Sequence, residues 1–163
     1  MVSHAMVNRA KIIGTRAESA VVKVLRDNGW PAAERRALTG GKDQGDITGT
    51  PGIAWEVKGG EAAKTVTRGN PDKRLADWLE QTETERLHAS AHVGVLVLAR
   101  EGIGPERAGK WPAILPMTTV LSLASGGGLS LYGRWPAKPI VPVRMDLTAC
   151  CRLLRLAGYG SAP

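Results

Sequence analysis

The run His92-Val93-Gly94-Val95-Leu96-Val97-Leu98-Ala99 constrains this chain more than any other segment. Beyond His92 it has no polar position, so a strand built from it can show neither face to water. Such a strand belongs inside a mixed sheet with helices over both faces, and the flanking text supplies the helices.

From Gly14 to Asn28 the apolar residues Ala17, Val21, Val24 and Leu25 keep helical spacing. Thr15 is placed as an N-cap, with Glu18 three residues on completing a capping box, and Asn28-Gly29 as the stop. Trp30 to Leu38 reads as a short strand, and Thr39 to Gly45 as a glycine-rich loop. An extended segment begins at Asp46-Ile47-Thr48, and Thr50-Pro51-Gly52 has the chemistry of a tight reversal. Ile53 to Lys58 then alternates as a strand, with Ala54, Glu56 and Lys58 on one face and Ile53, Trp55 and Val57 on the other.

A looser region over Glu61 to Pro71 leads to a second helix from Asp72 to Ala89. Its inward stripe is Leu75, Trp78, Leu79, Thr82 and Arg86, and its solvated acidic face is Asp77, Glu80, Glu83 and Glu85. Further on, Trp111 to Leu115 reads as a strand, Met117 to Ala124 as a short helix, and Leu129 to Trp135 as a strand or a loop. Asp146 to Ala157 reads as a last helix, capped near Asp146 and stopped at Gly158. The order of helix, strands, helix and strand gives an α/β domain: a central mixed β-sheet flanked by helices.

A chain of 163 residues makes one domain with a proper core. No apolar run approaches the roughly 18–20 residues that span a bilayer, and no signal-peptide pattern opens the chain. Residues 1–8 read as a tag remnant or disordered N-terminus, with a native start at Met6. Cys150 and Cys151 are adjacent, which makes a poor structural disulfide, and no C-x-x-C pair exists. Two partly buried thiols in a reducing, cytoplasmic setting are expected.

Net charge is +7, and its distribution is uneven. Residues 107–163 hold seven Lys and Arg against the single acid Asp146, whereas the first 106 residues are nearly neutral. A polyanion is the natural partner, since Lys and Arg on phosphates release condensed counterions.

The chemistry sits in Gly45-Asp46-Ile47 followed by Glu56-Val57-Lys58, ten residues from one acid to the other. An antiparallel pair turned at Pro51-Gly52 sets the start of one strand beside the end of the next, so Asp46 and Glu56 converge. Lys58 projects from the face of Glu56. Two converging carboxylates repel unless one protonates or a hard cation joins them, and carboxylate oxygens are what magnesium takes. The Val57 carbonyl, between the two side chains, is a further candidate ligand. Lys58 beside such a metal would hold the attacking water or stabilise phosphoryl charge. The bland alternative is a surface ion pair between Glu56 and Lys58 on an exposed strand.

These residues resemble a known family. Gly45-Asp46 and Glu56-Val57-Lys58 match the PD-(D/E)XK nuclease signature, with Gly in place of its Pro. The wider frame resembles the archaeal and phage-type Holliday junction resolvases over residues 9–100. It comprises Glu18, Gly29-Trp30, Arg35-Arg36, Thr39-Gly40-Gly41, Asp46-Ile47, Trp55 to Lys58, Gln81 and the Val93 to Leu98 strand. The resemblance implies a restriction-endonuclease-like core over residues 9–104. Residues 105–163 would be a basic extension, packed on the core or used for dimer or DNA contact. It implies Mg2+ at Asp46 and Glu56, with Mn2+ able to substitute, Glu18 supporting the metal and Lys58 at the water. Glu18 also has an ordinary explanation as a capping glutamate. Thr39 and Gly40 would approach the scissile phosphate, and Gln81 would face the site from the second helix. Arg35, Arg36, Lys42, Lys64, Arg68, Lys73 and Arg74 are candidate phosphate contacts, which position DNA without reading its sequence.

Other signals are weaker. His88 and His92 have zinc-helix spacing, but they straddle a helix–strand junction and no Glu follows His88. Thr39-Gly40-Gly41-Lys42 is half a phosphate loop at best. Trp111, Tyr132 and Trp135 are divided between base stacking and core packing. The expected activity is cleavage of branched double-stranded DNA, four-way junctions first, by a homodimer matching the junction's two-fold symmetry. A flap, single-strand or restriction-like nuclease with the same centre is the second reading, and a non-catalytic DNA-binding module the third.

Overall fold

The computed structural model describes residues 4–37, 41–69, 72–126 and 140–161. Helix α1 (His4–Asp27) starts ten residues before its expected N-terminus, inside the stretch set aside as a tag remnant or disordered end. No proline interrupts it, and the interior Gly14 costs a helix only about 1 kcal/mol. Thr15 therefore lies within the helix, where its carbonyl accepts the Ser19 hydroxyl at 2.8 Å, and the expected capping box is not made. The inner face is Ala17, Ala20, Val21, Val22 and Leu25. The stop falls where expected: Gly29 takes φ +113° and the Trp30 N–H returns to the Leu25 carbonyl at 3.0 Å.

The strand expected from Trp30 shrinks to β1 (Glu34–Arg35), which pairs antiparallel with β2 (Ile47–Thr48). Strand β3 (Ile53–Lys58) follows the turn at Pro51-Gly52. Between β2 and β3 no ladder forms, contrary to the hairpin expected there; β2 pairs with β1 and meets β3 through the Asp46 N–H on the Trp55 carbonyl. The loose region before the second helix is itself helical, as α2 (Gly60–Arg68), with Ala63 and Val66 buried. Then come α3 (Asp72–His88) and β4 (Val93–Leu98). A 3-10 helix (Pro105–Lys110) precedes β5 (Pro112–Pro116), α4 (Met117–Ala124), β6 (Pro142–Asp146) and α5 (Leu147–Leu156).

The fold is α/β: a four-stranded mixed sheet in the order β3-β4-β5-β6, flanked by helices. β3 and β4 run parallel through the α2–α3 crossover, with Glu56 opposite Leu96 and Lys58 opposite Leu98. The other two pairings are antiparallel. Every residue of β4 is buried, as its composition demanded. α1 and α3 both pack on β3, and α5 packs on β5 and β6. Trp30 and Trp55 meet edge to face at 6.4 Å beneath α1.

The described parts of 105–163 join this sheet and its core: Leu147, Cys150, Cys151 and Leu154 of α5 are fully buried. Both thiols are free. Strand β6 escaped the sequence reading because Pro142 and a single-sided apolar pattern disguise it. Both features suit the sheet edge it occupies. Leu129 to Trp135 lies outside the described residues. Among the described residues, no helix is long and apolar enough to cross a membrane.

Candidate active site

Gly45 places Asp46. Its φ of +90° and its closeness to β3, where a Cβ would stand 2.7 Å from the Trp55 carbonyl oxygen, admit only glycine. The Asp46 N–H then donates to the Trp55 carbonyl at 2.7 Å, and the Asp46 carbonyl accepts the Arg36 N–H at 2.8 Å. The side chain turns onto the next residue pair of β3, where Oδ2 accepts the Val57 N–H at 2.8 Å. Asp46 and the Glu56-Val57-Lys58 segment are thus locked together without a hairpin ladder. Residues alternate in the direction of their peptide groups, so the Val57 carbonyl faces the Asp46 side as its N–H does.

Glu56 is 4% exposed. That excludes a surface ion pair on an exposed strand. Lys58 Nζ donates to Glu56 Oε1 and, at 3.1 Å, to Gln81 Oε1, and it lies 5.9 Å from the centre of the Trp78 ring. Gln81 Nε2 completes the circuit, donating to Glu56 Oε1 at 3.3 Å and to Glu85 Oε1 at 2.8 Å.

Glu85 is the residue that the sequence reading missed. Assigned to a solvated face, it is 2% exposed, and among the described residues its Oε2 has no hydrogen-bond partner. Seven residues from Trp78, three from Thr82 and four from Gln81, it falls on the inward side of α3, and that spacing was legible. Glu83, from the same supposed face, is buried against Arg86 at 2.7 Å, beneath Gly94 of β4.

The electrostatics follow from crowding acids away from water. Burial, reinforced by the Glu56 charge, pushes the Asp46 carboxyl up to about 7. Burial and a hydrogen bond with the Glu85 carboxyl push Glu56 up to about 8, against the pull of Lys58. Glu85 is raised too, by burial. Glu18 adds to the upward push on Asp46, while its own Oε2 lies 3.5 Å from Arg35 Nη1. As α1 starts at His4, Glu18 is not a capping residue.

The expected phosphate contacts scatter. Arg35 is engaged by Glu18, and Arg36 Nη1 reaches Gln44 at 3.3 Å. Arg68 is held by Glu61 and Glu101. Lys42, Lys73 and Arg74 are exposed, and Lys64 lines a cavity beside α1. Thr39 and Gly40 lie outside the described residues. His88 and His92 have separate tasks: His88 Nδ1 meets the Asp43 carbonyl at 2.8 Å, and His92 Nδ1 meets the Tyr159 hydroxyl at 3.2 Å. Trp111 is a core residue, its Nε1 donating to the Ile103 carbonyl at 2.8 Å. Tyr132 and Trp135 are outside the described residues.

Among the described residues, no group of three or more His, Cys, Asp and Glu side chains is gathered to hold a metal ion. The donor set on offer is two carboxylates and the Val57 carbonyl. Magnesium is commonly held that way, by one or two carboxylates with the remaining positions left to water and substrate phosphate. The raised Asp46, Glu56 and Glu85 carboxyls fit a site short of positive charge. Compared with known families, characterised proteins and solved structures, the chain matches none.

Proposed function

We propose that this protein is a Mg2+-dependent endodeoxyribonuclease of the PD-(D/E)XK type, with a restriction-endonuclease-like core, acting on branched DNA. The observation that carries the reading is the pair of half-buried Asp46 and buried Glu56, each pushed well above the ordinary carboxylate range, with Lys58 bonded to Glu56. An acid pair buried this way is unfavourable for folding and suits a site that a cation completes.

Asp46, Glu56 and the Val57 carbonyl would hold Mg2+, or Mn2+ in its place. When bound, the ion supplies a Lewis acid for the phosphate and lowers the pKa of a coordinated water. The chain's own residues do the rest. Asp46 is aimed by its bond from the Val57 N–H. Lys58, held by Glu56 and Gln81, presents an ammonium donor to the attacking water or to the phosphoryl oxygens. Water adds to phosphorus and gives up a proton to solvent, the bond from phosphorus to the leaving sugar oxygen breaks, and that oxygen takes up a proton in turn.

The resemblance to junction resolvases makes a four-way junction the first substrate to try, cut symmetrically by a C2 homodimer. A flap is the second, favoured by the basic groove described below. Labelled junction, flap and plain duplex, each incubated with magnesium and with chelator, decide between them. Cleavage of the branched substrates above the duplex, abolished by chelator, is the expected result. No cleavage of any of them with magnesium overturns the reading.

A further inference from the structure

Two cavities meet at Arg100. One, of about 580 Å³, lies between α1, the start of α2 and the segment after β4, and the cations Arg9, Arg16, Lys64 and Arg100 line it. The other, of about 320 Å³, continues from Arg100 to Lys110 and Arg144. None of these six side chains has an ion pair or hydrogen bond among the described residues. The acids that line the two cavities are Glu61, already committed to Arg68, and Asp146. Cations are usually neutralised or dispersed; six left free along one concave path describe a receptor for an anion chain.

Its shape narrows the choice. The larger cavity has the size of a small-molecule site, within the roughly 300–1,000 Å³ that takes a drug-sized ligand such as a nucleotide. Between the cations lie apolar side chains, among them Ile13, 38% exposed, and Ile103. A duplex keeps its bases stacked inward and offers nothing to those groups. An unpaired strand offers phosphates to the rim and base faces to the floor. The groove also opens immediately beyond Lys58, at Gly59 and Gly60. Gly59 lets α1 approach there, since a Cβ would stand 3.0 Å from that of Ala17.

We infer that the groove from Arg9 and Arg16 across Arg100 to Lys110 and Arg144 holds an unpaired DNA strand, such as the single-stranded arm of a flap, next to the nuclease centre. The inference rests on the nuclease reading for its substrate, but the groove is tested without catalysis. It gives Lys110 and Arg144, from the basic C-terminal third, a position and a task.

The test is anisotropy of a dye-labelled oligo-dT of about 15 nucleotides, a length that fills a strand-binding groove, in chelator and over a range of salt. Arg16→Gln with Arg100→Gln removes two exposed cations from the groove. Lys11→Gln with Arg152→Gln removes two exposed cations that do not line it. The groove pair is expected to weaken binding about tenfold or more at moderate salt and to flatten the salt slope by about 1.4, some 0.7 for each lost phosphate contact. The control pair should stay within about twofold, since free cations elsewhere release no strand-bound counterions. Lys64→Gln with Lys110→Gln repeats the measurement from the other rim and must show the same loss. Equal losses for groove and control pairs overturn the inference, as does a blunt duplex of the same length that competes as well as oligo-dT. Cleavage plays no part in this readout, so an inactive protein that still binds oligo-dT through the groove separates failure of the nuclease reading from failure of this one.

Discussion

The Asp46 carboxylate accepts the Val57 N–H at 2.8 Å, so the first acid of the site is fastened to the strand that carries the second. That bond, with the Asp46 N–H on the Trp55 carbonyl, substitutes for the hairpin ladder that β2 and β3 do not form. Asp46 is fastened to β3 by these two hydrogen bonds and one glycine, Gly45, and is correspondingly sensitive to each.

Gly45→Ala is the sharpest test of that arrangement. The new Cβ would stand 2.7 Å from the Trp55 carbonyl oxygen on a backbone at φ +90°. Strain of this kind costs about 1–3 kcal/mol, so Tm should drop by about 3–10 °C in a chain of this size. Cleavage should fall further than stability does, because Asp46 is displaced. Calorimetry and a cleavage rate on the same sample check it; a variant with unchanged Tm and rate contradicts the geometry.

Gln81 bonds Lys58, Glu56 and Glu85 at once. Gln81→Ala should lower kcat/KM about 10- to 100-fold, as loss of a supporting partner at a metal site does. Its Tm should stay within about 3 °C, because Gln81 itself is exposed. Unchanged kcat/KM would make Gln81 an ordinary helix-surface residue.

The raised carboxyls set a pH dependence with a definite sign. Folded, Asp46 and Glu56 hold protons up to about 7 and about 8, whereas unfolded they release them near 4. Their contribution to stability is fully present below the unfolded pKa. It is lost as pH rises through the folded values. In chelator, Tm should therefore fall between pH 5 and 8.5 by about 3 °C or more. Glu56→Gln should flatten that fall, and magnesium should raise the wild-type Tm more at pH 8.5 than at pH 5. Parallel pH curves for wild type and Glu56→Gln would remove the electrostatic basis of the site.

Cys150 and Cys151 are both buried, and burial pushes the Cys151 thiol up to about 12 and Cys150 higher still. Neither should react with a thiol reagent in the folded protein, and both should react after unfolding. Mass spectrometry of alkylated protein reads this directly, and labelling of the native chain would place α5 wrongly.

What the sequence disclosed follows from which residues have a period to betray them. The β4 run and the Ile53–Lys58 alternation were legible because burial on both faces, or on one, leaves a pattern in the letters. The α5 stripe was legible for the same reason. The extent of α1 was not, since residues 8–13 of it are exposed. α2 hid between glycines. β6 hid behind Pro142. At the site, Asp46, Glu56 and Lys58 were found by spacing, but their fastening was not, because it depends on a backbone bond to Val57 and not on a ladder. Glu85 was lost because an acid on a helix is read as solvated unless its spacing is weighed against the stripe beside it.

Cleavage of a labelled four-way junction by wild type, Asp46→Ala and Lys58→Ala, each with and without magnesium, tests the central claim most directly. Wild type should cut only with the metal, and each variant should lose the reaction while retaining its fold by circular dichroism. Equal cutting by wild type and Asp46→Ala, or undiminished cutting in chelator, would contradict it.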